Sequence, residues 1–493
     1  MKQDTKFNFS ATNTYYEEFK DLNTRFDGRV FVGVSSTRIY CRPMCRARTP
    51  REQNCTFFPS AAAAETAGYR PCLKCRPELA PGLPPVNGPS HLARKAALLI
   101  EENGLCSDDW GKLALSLGVA GEHLRRLFVS EFSVSPEQYR QTQRMLLAKN
   151  LLTDTHLPLA AIAQVTGFDN ARHLEASFQK YYRLPPARWR RKTKPATPGE
   201  EDTITLYAGY RPPYLWDTLL DFLAGRNIPG VESITGGAYH RTVALSHGGK
   251  TYRGWISVRH AEKKQALALT LPVTLLPVLP QVWTRVKRLF DLHCEPWKIY
   301  SKLAVMNDFM AGICLPGTRL PGCFDPFEMA VRAVLGQQIT VKAARTLAGR
   351  VAGTYGQALS TPIDGLTHTF PTPAHIAGLE GPIEDHLGPL GVTGARARSI
   401  RSLAEKLLSG EIDLSGRTDP QKEMKKLLAL PGFGPWTVNY VAMRALSWPD
   451  AFPHTDYGVK KALADRTAKE ILTLSEPWKP YRAYATINIW NSL

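Results

Sequence analysis

Two segments rich in proline and glycine divide the 493-residue chain into three parts. The first runs from Pro81 to Pro89 and the second from Lys192 to Glu200. Such compositions are typical of linkers, because proline and glycine interrupt regular secondary structure. A chain of this length exceeds one ordinary domain several times over, so each part can bury its own core. We therefore predict a multidomain protein.

The sequence is strongly basic, with a formal net charge of +18 at pH 7. Both the first 200 residues and the remainder carry an excess of lysine and arginine, which favours a polyanionic partner. Double-stranded DNA is one partner of this kind. An anionic membrane surface would also suit the charge, but the sequence shows no basic amphipathic anchor, spanning segment or signal peptide. We expect no membrane association and a cytoplasmic protein at the nucleoid.

Four of the nine cysteines form two short pairs in the first part. Three residues separate Cys41 from Cys45, and two separate Cys72 from Cys75. Each pair is short enough for both sulfurs to reach one ion, and four thiolates are the ligand set of a closed tetrahedral Zn(II) site. Chance pairing and disulfides are the alternatives, the latter disfavoured in a reducing cytoplasm. We expect ordinary thiols at the other cysteines, which are Cys55, Cys106, Cys294, Cys314 and Cys323.

The residues around these thiols resemble the N-terminal domain of Ada-type DNA repair regulators. The resemblance rests on the segments Asp27–Phe31, Thr37–Pro43 and Gly68–Cys72. It implies a small α+β zinc domain over residues 1–83, in which Cys41 is both a ligand and the nucleophile that accepts a methyl group from a DNA methylphosphotriester. Four thiolates on one Zn(II) carry net negative charge, so a bound sulfur stays nucleophilic without a base. A purely structural zinc site remains the alternative. Candidate contacts to the DNA backbone are Thr37, Arg48 and Arg70.

The middle part repeats a pattern of a small-residue helix, a glycine turn and a second amphipathic helix. The first copy covers Leu113–Phe128 and the second Leu159–Lys180, with a long helix predicted over Pro136–Leu152 between them. Two such units in tandem resemble the AraC-type helix-turn-helix DNA-binding domain, here over residues 88–193. The resemblance implies a sequence-specific transcription regulator, with promoter DNA and RNA polymerase as partners. A plain helical bundle with solvated arginines remains the alternative.

The two recognition helices of this domain differ in charge. Arg125 and Arg126 in the first are candidate DNA contacts, because arginine binds phosphates and base edges. Glu175 stands in the second where a polar uncharged residue is expected, and its carboxylate would repel phosphate. Sequence-specific recognition is therefore more certain for the first unit.

A glycine-rich segment near the end of the chain, Leu430–Thr437, precedes Asp456 by about one helix. Gly432 and Gly434 permit a tight turn whose bare N–H groups can point at a phosphate. This arrangement resembles the helix-hairpin-helix motif and catalytic aspartate of the DNA glycosylase superfamily. The alternative for Asp456 is an N-cap of a helix that begins near Tyr457. We also expect a monovalent cation on the hairpin carbonyls of Leu428, Leu430 and Phe433.

Trp436 stands where strand-nicking members of the superfamily carry a lysine. A tryptophan supplies no amine for a Schiff base, so we predict a monofunctional glycosylase that uses water. Asp456 would stabilise the oxocarbenium-like sugar as the glycosidic bond breaks.

From about Leu206 onward the chain resembles the AlkA-type 3-methyladenine DNA glycosylases. The resemblance implies an α+β subdomain over residues 203–316 and an all-α helix-hairpin-helix core over residues 317–493. It also implies a pocket whose aromatic walls attract an electron-poor alkylated base, although each ring could instead be a core residue. The matching segments are Tyr210–Tyr214, Leu320–Cys323, Phe327–Glu328, Val331–Gln338 and Trp478–Arg482. The pocket residues are Phe222, Trp436, Tyr440 and Trp490.

An enzyme that flips a base out of the duplex must fill the gap that the base leaves. A leucine does so in the AlkA-type proteins, but Gln338 occupies that position here and Ile339 follows it. Gln338 could fill the gap with its amide, or Ile339 could act as an apolar wedge. Ile339 could equally anchor a helix in the core.

The Ada-type proteins usually end in a domain with a Pro-Cys-His-Arg nucleophile, which does not occur in this sequence. The glycosylase takes its place. We predict a mainly α multidomain regulator with DNA-3-methyladenine glycosylase activity and stoichiometric methyl transfer to Cys41. One alternative is a transcription regulator whose glycosylase part has lost activity. A glycosylase-lyase for oxidised bases is disfavoured by Trp436 and by the lack of an iron-sulfur cysteine cluster.

Overall fold

A computed structural model describes residues 12–84, 91–102, 110–190, 202–416, 418–463 and 466–493. Most of the first predicted linker, the whole of the second, and Cys106 lie outside these residues. The chain separates into two compact units. The first unit comprises residues 1–114, 119–196 and 206–211, and the second comprises 115–118, 197–205 and 212–493. The finer division into four domains stays a prediction.

Helices dominate the described residues, which confirms the mainly α class. The α-helices are α1 (Thr12–Lys20), α2 (Ala61–Thr66), α3 (His91–Glu102), α4 (Trp110–Ser116), α5 (Gly121–Phe132), α6 (Pro136–Asp154), α7 (Leu159–Val165), α8 (Ala171–Tyr182), α9 (Trp216–Ala224), α10 (Leu279–Leu289), α11 (Pro296–Leu303), α12 (Pro326–Leu335), α13 (Val341–Tyr355), α14 (Pro373–Ala377), α15 (Ile383–Leu387), α16 (Gly394–Leu408), α17 (Pro420–Leu428), α18 (Pro435–Arg444), α19 (Tyr457–Ala462), α20 (Ala468–Leu474) and α21 (Arg482–Asn491). The strands are β1 (Phe31–Val34), β2 (Ile39–Cys41), β3 (Cys55–Phe58), β4 (Arg70–Pro71), β5 (Thr203–Gly209), β6 (Glu232–Thr235), β7 (Ala238–His247), β8 (Lys250–Ala261) and β9 (Ala266–Pro272).

The first unit begins with a four-stranded sheet in the order β3-β1-β2-β4. β1 is antiparallel to β2 and β3, while β2 is parallel to β4 with Tyr40 opposite Pro71. This register places Cys41, the last residue of β2, beside Cys72, which directly follows β4. The parallel pairing therefore brings the two cysteine pairs to one end of the sheet.

The tandem helix-turn-helix pattern is present in the same unit, as α4 with α5 and α7 with α8. The predicted connecting helix is confirmed as α6, which extends two residues further than predicted, to Asp154. Its start is specified by a capping box between Ser135 and Gln138, with Pro136 in the first turn. Leu146 of α6 packs into the apolar cluster of the zinc-domain sheet, so the two modules share a core.

The second unit combines an antiparallel sheet with helices, as predicted. The strand order within this unit is β9-β8-β7-β6, and α12 to α21 follow without a further strand in the described part of the chain. Buried ion pairs join the sheet to α12: Arg241 donates to Glu328 at 2.8 Å, and Arg332 donates to Glu232 at 3.0 Å. α17, the glycine-rich segment and α18 form the predicted helix-hairpin-helix. None of the described helices is both long and apolar enough to cross a bilayer.

Candidate active site and metal centre

Asp456 lies at the N-terminus of α19 and caps it. Its Oδ1 accepts hydrogen bonds from the backbone N–H groups of Gly458 at 2.8 Å and Val459 at 3.2 Å. The capping geometry that we considered as the alternative is therefore present. It orients the carboxylate and places it at the positive end of a helix.

Two tryptophan side chains also donate to this carboxylate. Trp436 Nε1 donates to Oδ2 at 2.8 Å, and Trp490 Nε1 donates to Oδ1 at 2.8 Å. Four N–H donors suit an ionised carboxylate, which can only accept hydrogen bonds. Oδ1 takes three of the four, whereas Oδ2 takes one. Oδ2 is thus the oxygen with capacity left for a sugar or a water molecule.

The same two indoles belong to an aromatic cluster beside the carboxylate. Trp436 and Tyr440, one turn apart on α18, stack with ring centroids 5.3 Å apart. Trp490 of α21 lies 6.1 Å from Tyr440 and 6.2 Å from Phe222 of α9, with the Phe222 ring nearly parallel to it. The structure therefore brings all four predicted pocket residues together around Asp456.

Two arginines that we did not predict line this aromatic cluster. The guanidinium carbon of Arg226 lies 3.8 Å from the centroid of Phe222, and that of Arg444 lies 5.1 Å from it. Arg444 also donates to the Tyr440 hydroxyl at 3.1 Å. Burial opposes ionisation of Tyr440, but Arg444, Arg226 and Arg332 outweigh it and lower its pKa. Each of Arg226 and Arg444 follows a pocket aromatic by four residues, a helical spacing that could have revealed them.

The hairpin is held by side chains from two other elements. Gln337 Nε2 donates to the Gly432 carbonyl at 2.7 Å, and Ser399 Oγ donates to the Pro431 carbonyl at 2.8 Å. Gly432 has a φ of +80°, and a Cβ there would lie 2.2 Å from Ser399 Oγ. Gly434 instead has a φ of −83° and open space around it. The turn therefore requires glycine at the first position only.

The predicted wedge residues lie in the loop between α12 and α13. Gln338 is exposed and adopts a left-handed φ of +53°. Ile339 is half-buried and lies outside both helices, followed by Thr340, which caps α13. Gln338 is the more accessible of the two at this position.

The four predicted ligands of the metal centre converge. The sulfurs of Cys41, Cys45, Cys72 and Cys75 lie within 4.8 Å of one another, and three of these residues are buried. Four thiols at this spacing fit the tetrahedral Zn(II) site that we predicted. Arg42 N donates to Cys75 Sγ at 3.3 Å and Lys74 N to Cys72 Sγ at 3.4 Å. The other described cysteines form no disulfide and lie at half-buried or buried positions.

The residues of the first unit that we predicted to contact DNA differ in their exposure and in their hydrogen-bond partners. Thr37 and Arg48 are exposed, and Arg70 is half-buried in β4. Arg126 is exposed on α5. Arg125 instead donates twice to Glu137, at 2.8 and 2.9 Å, so its guanidinium is already paired. Glu175 is exposed on α8.

Comparison with known proteins shows the family to which this chain belongs. A probable bifunctional transcriptional activator/DNA repair enzyme AlkA of Mycobacterium tuberculosis is 35% identical over 487 residues, which cover 97% of this chain and 96% of that protein. The chain belongs to this family. DNA-3-methyladenine glycosylase 2 of Escherichia coli is 35% identical over 281 residues, which are 57% of this chain and 95% of that protein. The Escherichia coli bifunctional transcriptional activator/DNA repair enzyme Ada is 34% identical over 121 residues, which are 24% of this chain and 32% of that protein.

Family models match four consecutive parts of the chain. They are the metal binding domain of Ada over residues 14–78, a helix-turn-helix domain over 113–192, the AlkA N-terminal domain over 203–325 and the HhH-GPD superfamily base excision DNA repair protein over 331–470. This order confirms both resemblances that the sequence suggested. A regulator of the Ada type and a glycosylase of the AlkA type are joined in one polypeptide.

We predict that the two hairpin glycines differ in their tolerance of a side chain. Gly432→Ala should lower the free energy of unfolding by at least about 1 kcal/mol and weaken binding to all duplexes alike, because its φ is left-handed. Gly434→Ala, the matched control, should change stability by less than about 0.5 kcal/mol. Denaturant unfolding and duplex titrations measure both. Equal effects of the two substitutions would contradict the geometry.

We also predict that the indole donors support the chemical step. Trp436→Phe and Trp490→Phe each keep an aromatic wall but remove a hydrogen bond to a charged group, so base release from alkylated DNA should slow by roughly 10- to 100-fold. Single-turnover rates at saturating enzyme measure this. Trp297→Phe, on the exposed face of α11, is the control and should leave the rate unchanged. A loss confined to DNA affinity would show that the indoles act only in binding.

Proposed function

We propose that this chain is a monofunctional DNA glycosylase for alkylated bases of the 3-methyladenine type, fused to a methyl-accepting, DNA-binding transcription regulator. The observation that carries the proposal is the Asp456 carboxylate, which accepts hydrogen bonds from two walls of an aromatic pocket. A negative charge fixed beside a stacking site matches the needs of glycosidic bond cleavage. It stabilises positive charge on the sugar while the rings hold the base.

In the proposed reaction, the bond from C1′ to the base breaks before the bond from C1′ to water is fully formed. The bond from C1′ to the base nitrogen breaks with its electron pair moving to the base, and positive charge develops on C1′ and the ring oxygen. Asp456 Oδ2, which accepts one hydrogen bond, faces this charge. Water then adds to C1′ and releases a proton, leaving an abasic site. Trp436 offers no amine, which supports hydrolysis without strand cleavage.

The pocket residues have separate roles in this proposal. Phe222, Trp436, Tyr440 and Trp490 stack on the flipped base, and an electron-poor alkylated ring strengthens such stacking. Arg226 and Arg444 hold the Phe222 and Tyr440 rings through cation–π contacts and a hydrogen bond. Gln338, exposed and left-handed, would fill the gap in the duplex, with Ile339 behind it.

The hairpin holds the DNA backbone in this proposal. Gly432 and Gly434 would offer main-chain N–H groups to a phosphate next to the pocket. The monovalent cation on the carbonyls of Leu428, Leu430 and Phe433 belongs to the proposal as well. The Leu430 carbonyl also accepts a hydrogen bond from Phe433 N at 3.1 Å, which leaves it one lone pair for an ion.

We propose Cys41 as the methyl acceptor, as the resemblance to Ada-type regulators implies, and the hydrogen bonds to two other ligands support this choice. Backbone N–H groups of Lys74 and Arg42 donate to the sulfurs of Cys72 and Cys75. Such donors withdraw electron density from a thiolate and reduce its reactivity, which favours Cys41 over Cys72 and Cys75 as the nucleophile. The choice of Cys41 over Cys45 rests on the resemblance. A bound Zn(II) would keep all four sulfurs deprotonated.

The transfer step conserves charge and atoms. Cys41 Sγ attacks the methyl carbon of a methylphosphotriester, the carbon–oxygen bond breaks, and the electron pair returns to the phosphate oxygen. The thiolate becomes a neutral thioether, which removes one negative charge from the metal centre. Binding to promoter DNA should then tighten, because less charge opposes the phosphates. Arg126 on α5 is the favoured base or phosphate contact, and RNA polymerase is the proposed partner at the promoter.

We predict that Asp456→Asn lowers the rate of base release by at least about 100-fold while duplex affinity stays within about twofold, because it removes a charge used at the transition state. High-performance liquid chromatography of free 3-methyladenine from methylated duplex DNA measures the rate. Asp364→Asn, an exposed loop substitution, is the matched control. Full excision by the Asp456 variant would refute the catalytic assignment. No release by the unaltered protein would favour a regulator without glycosylase activity.

We predict that methylphosphotriester DNA adds one methyl group to the protein, on Cys41. Peptide mass spectrometry of the zinc-loaded chain locates it, and Cys41→Ala should receive none. Cys55→Ala, a free thiol outside the cluster, should be methylated as the unaltered chain is. A methyl group on Cys45, Cys72 or Cys75 would overturn the assignment, and none at all would leave a structural metal site.

A further inference from the structure

The carboxylate of Glu65 connects the zinc-binding domain with the helix-turn-helix domain. Glu65 lies on α2, and its Oε1 accepts hydrogen bonds from the hydroxyls of Tyr40 at 2.9 Å and Tyr182 at 3.0 Å. Its Oε2 accepts one from Thr142 at 2.9 Å. Tyr40 directly precedes Cys41, while Thr142 lies on α6 and Tyr182 is the last residue of α8. One side chain therefore links the metal centre to the second recognition helix.

A second connection starts from the other pair of cysteines. Arg76 directly follows Cys75 and donates to both carboxylate oxygens of Asp154, at 2.7 and 2.6 Å. It also donates to Asn150 at 3.0 Å. Glu78 pairs with Arg76 at 2.8 Å and with Lys149 at 2.5 Å. Asp154, Asn150 and Lys149 all lie in the last turns of α6, immediately before α7 and α8.

These contacts are buried, so they bind the two domains tightly. Tyr40 and Tyr182 have no exposed surface, and Arg76, Lys149 and Asn150 are at most 5% exposed. Burial raises the pKa of Glu65 to about 7, while the three hydroxyl donors act in the opposite direction. Separating the domains would break several buried, charge-assisted hydrogen bonds at once, which is unfavourable.

α5, the first recognition helix, depends less on the zinc-binding domain. One contact with that domain is the hydrogen bond from Ser60 Oγ to the Phe132 carbonyl at 2.8 Å. It is otherwise anchored within its own domain, by the Arg94–Glu131 ion pair and by the packing of Phe128 against Tyr139. The two recognition helices are therefore coupled unequally to the metal centre.

We propose that the zinc-binding domain positions the second recognition helix, α8, through Glu65 and Arg76, so that loss of the metal loosens α8 much more than α5. Without a cation, four thiols within 4.8 Å of one another are no longer tied together, and Tyr40 and Arg76 leave their places as the cysteine loops separate. The state of the thiol cluster thereby controls the half of the DNA-binding domain that carries Glu175. This coupling goes beyond the proposed methyl transfer and does not depend on it.

Hydrogen exchange of the full-length chain, with zinc bound and after chelation, tests the proposal. We expect chelation to accelerate amide exchange in Ala171–Tyr182 by at least about tenfold, with a clearly smaller change in Gly121–Phe132. Unchanged exchange in α8 would overturn the proposal. Equal acceleration in both helices would also overturn it, because it would indicate general loss of the domain.

A variant that cuts the connection without touching the metal ligands provides the second measurement. The double substitution Tyr182→Phe with Thr142→Val removes two of the three donors to Glu65 and keeps the shapes of the side chains. We expect this variant to bind zinc normally, to show fast exchange in α8 with zinc present, and to gain little on chelation. Tyr181→Phe, at the exposed neighbouring position, is the control and should respond to chelation as the unaltered chain does. If the double variant responds to chelation as the unaltered chain does, the proposed role of Glu65 is refuted.

Discussion

The Asp456 carboxylate holds the pocket together, because its four N–H partners come from three separate helices. Trp436 lies on α18, Trp490 on α21, and the two backbone donors on α19. The indoles act both as pocket walls and as donors, so the position of the negative charge depends on how the aromatic rings pack. Gly434 lies two residues before Trp436 and is the N-cap of the same helix. The hairpin is thereby held at a fixed position relative to the carboxylate and the pocket.

Buried charges extend this arrangement to the sheet of the second unit. Arg332 pairs with Glu232 at 3.0 Å and with Glu328 at 3.4 Å, and it donates to the carbonyl of Arg226. Arg226 in turn covers the Phe222 ring. Removing one member of such a buried cluster typically costs about 3–5 kcal/mol, because its partners stay buried without compensation. The face of α9 that carries Phe222 is therefore fixed relative to α12 by charge as well as by packing.

Features that depend on local spacing were predictable from the sequence, whereas features that depend on long-range contacts were not. The cysteine spacing, the glycine-rich segment and the tandem pattern of the middle part indicated a four-cysteine metal site, a helix-hairpin-helix and a connecting helix. The structure contains the cysteine cluster, the hairpin and the helix. The aromatic residues came from a family resemblance, and they do converge on Asp456. The pairing of Arg125 with Glu137 joins two elements, so an arginine expected on DNA is already occupied. The presence of a glycine does not by itself indicate that a turn requires one, because the backbone conformation of Gly434 is one that any residue adopts.

The proposed mechanism requires that the fixed charge of Asp456 recognises positive charge on the sugar. It is tested most directly by the affinities of two duplexes that differ only in an abasic-site analogue, a neutral tetrahydrofuran or a cationic pyrrolidine. We expect the unaltered protein to bind the cationic duplex at least about tenfold more tightly, a difference of about 1.4 kcal/mol, and Asp456→Asn to abolish the preference. Equal affinities in the unaltered protein, or a preference that survives the substitution, would contradict it.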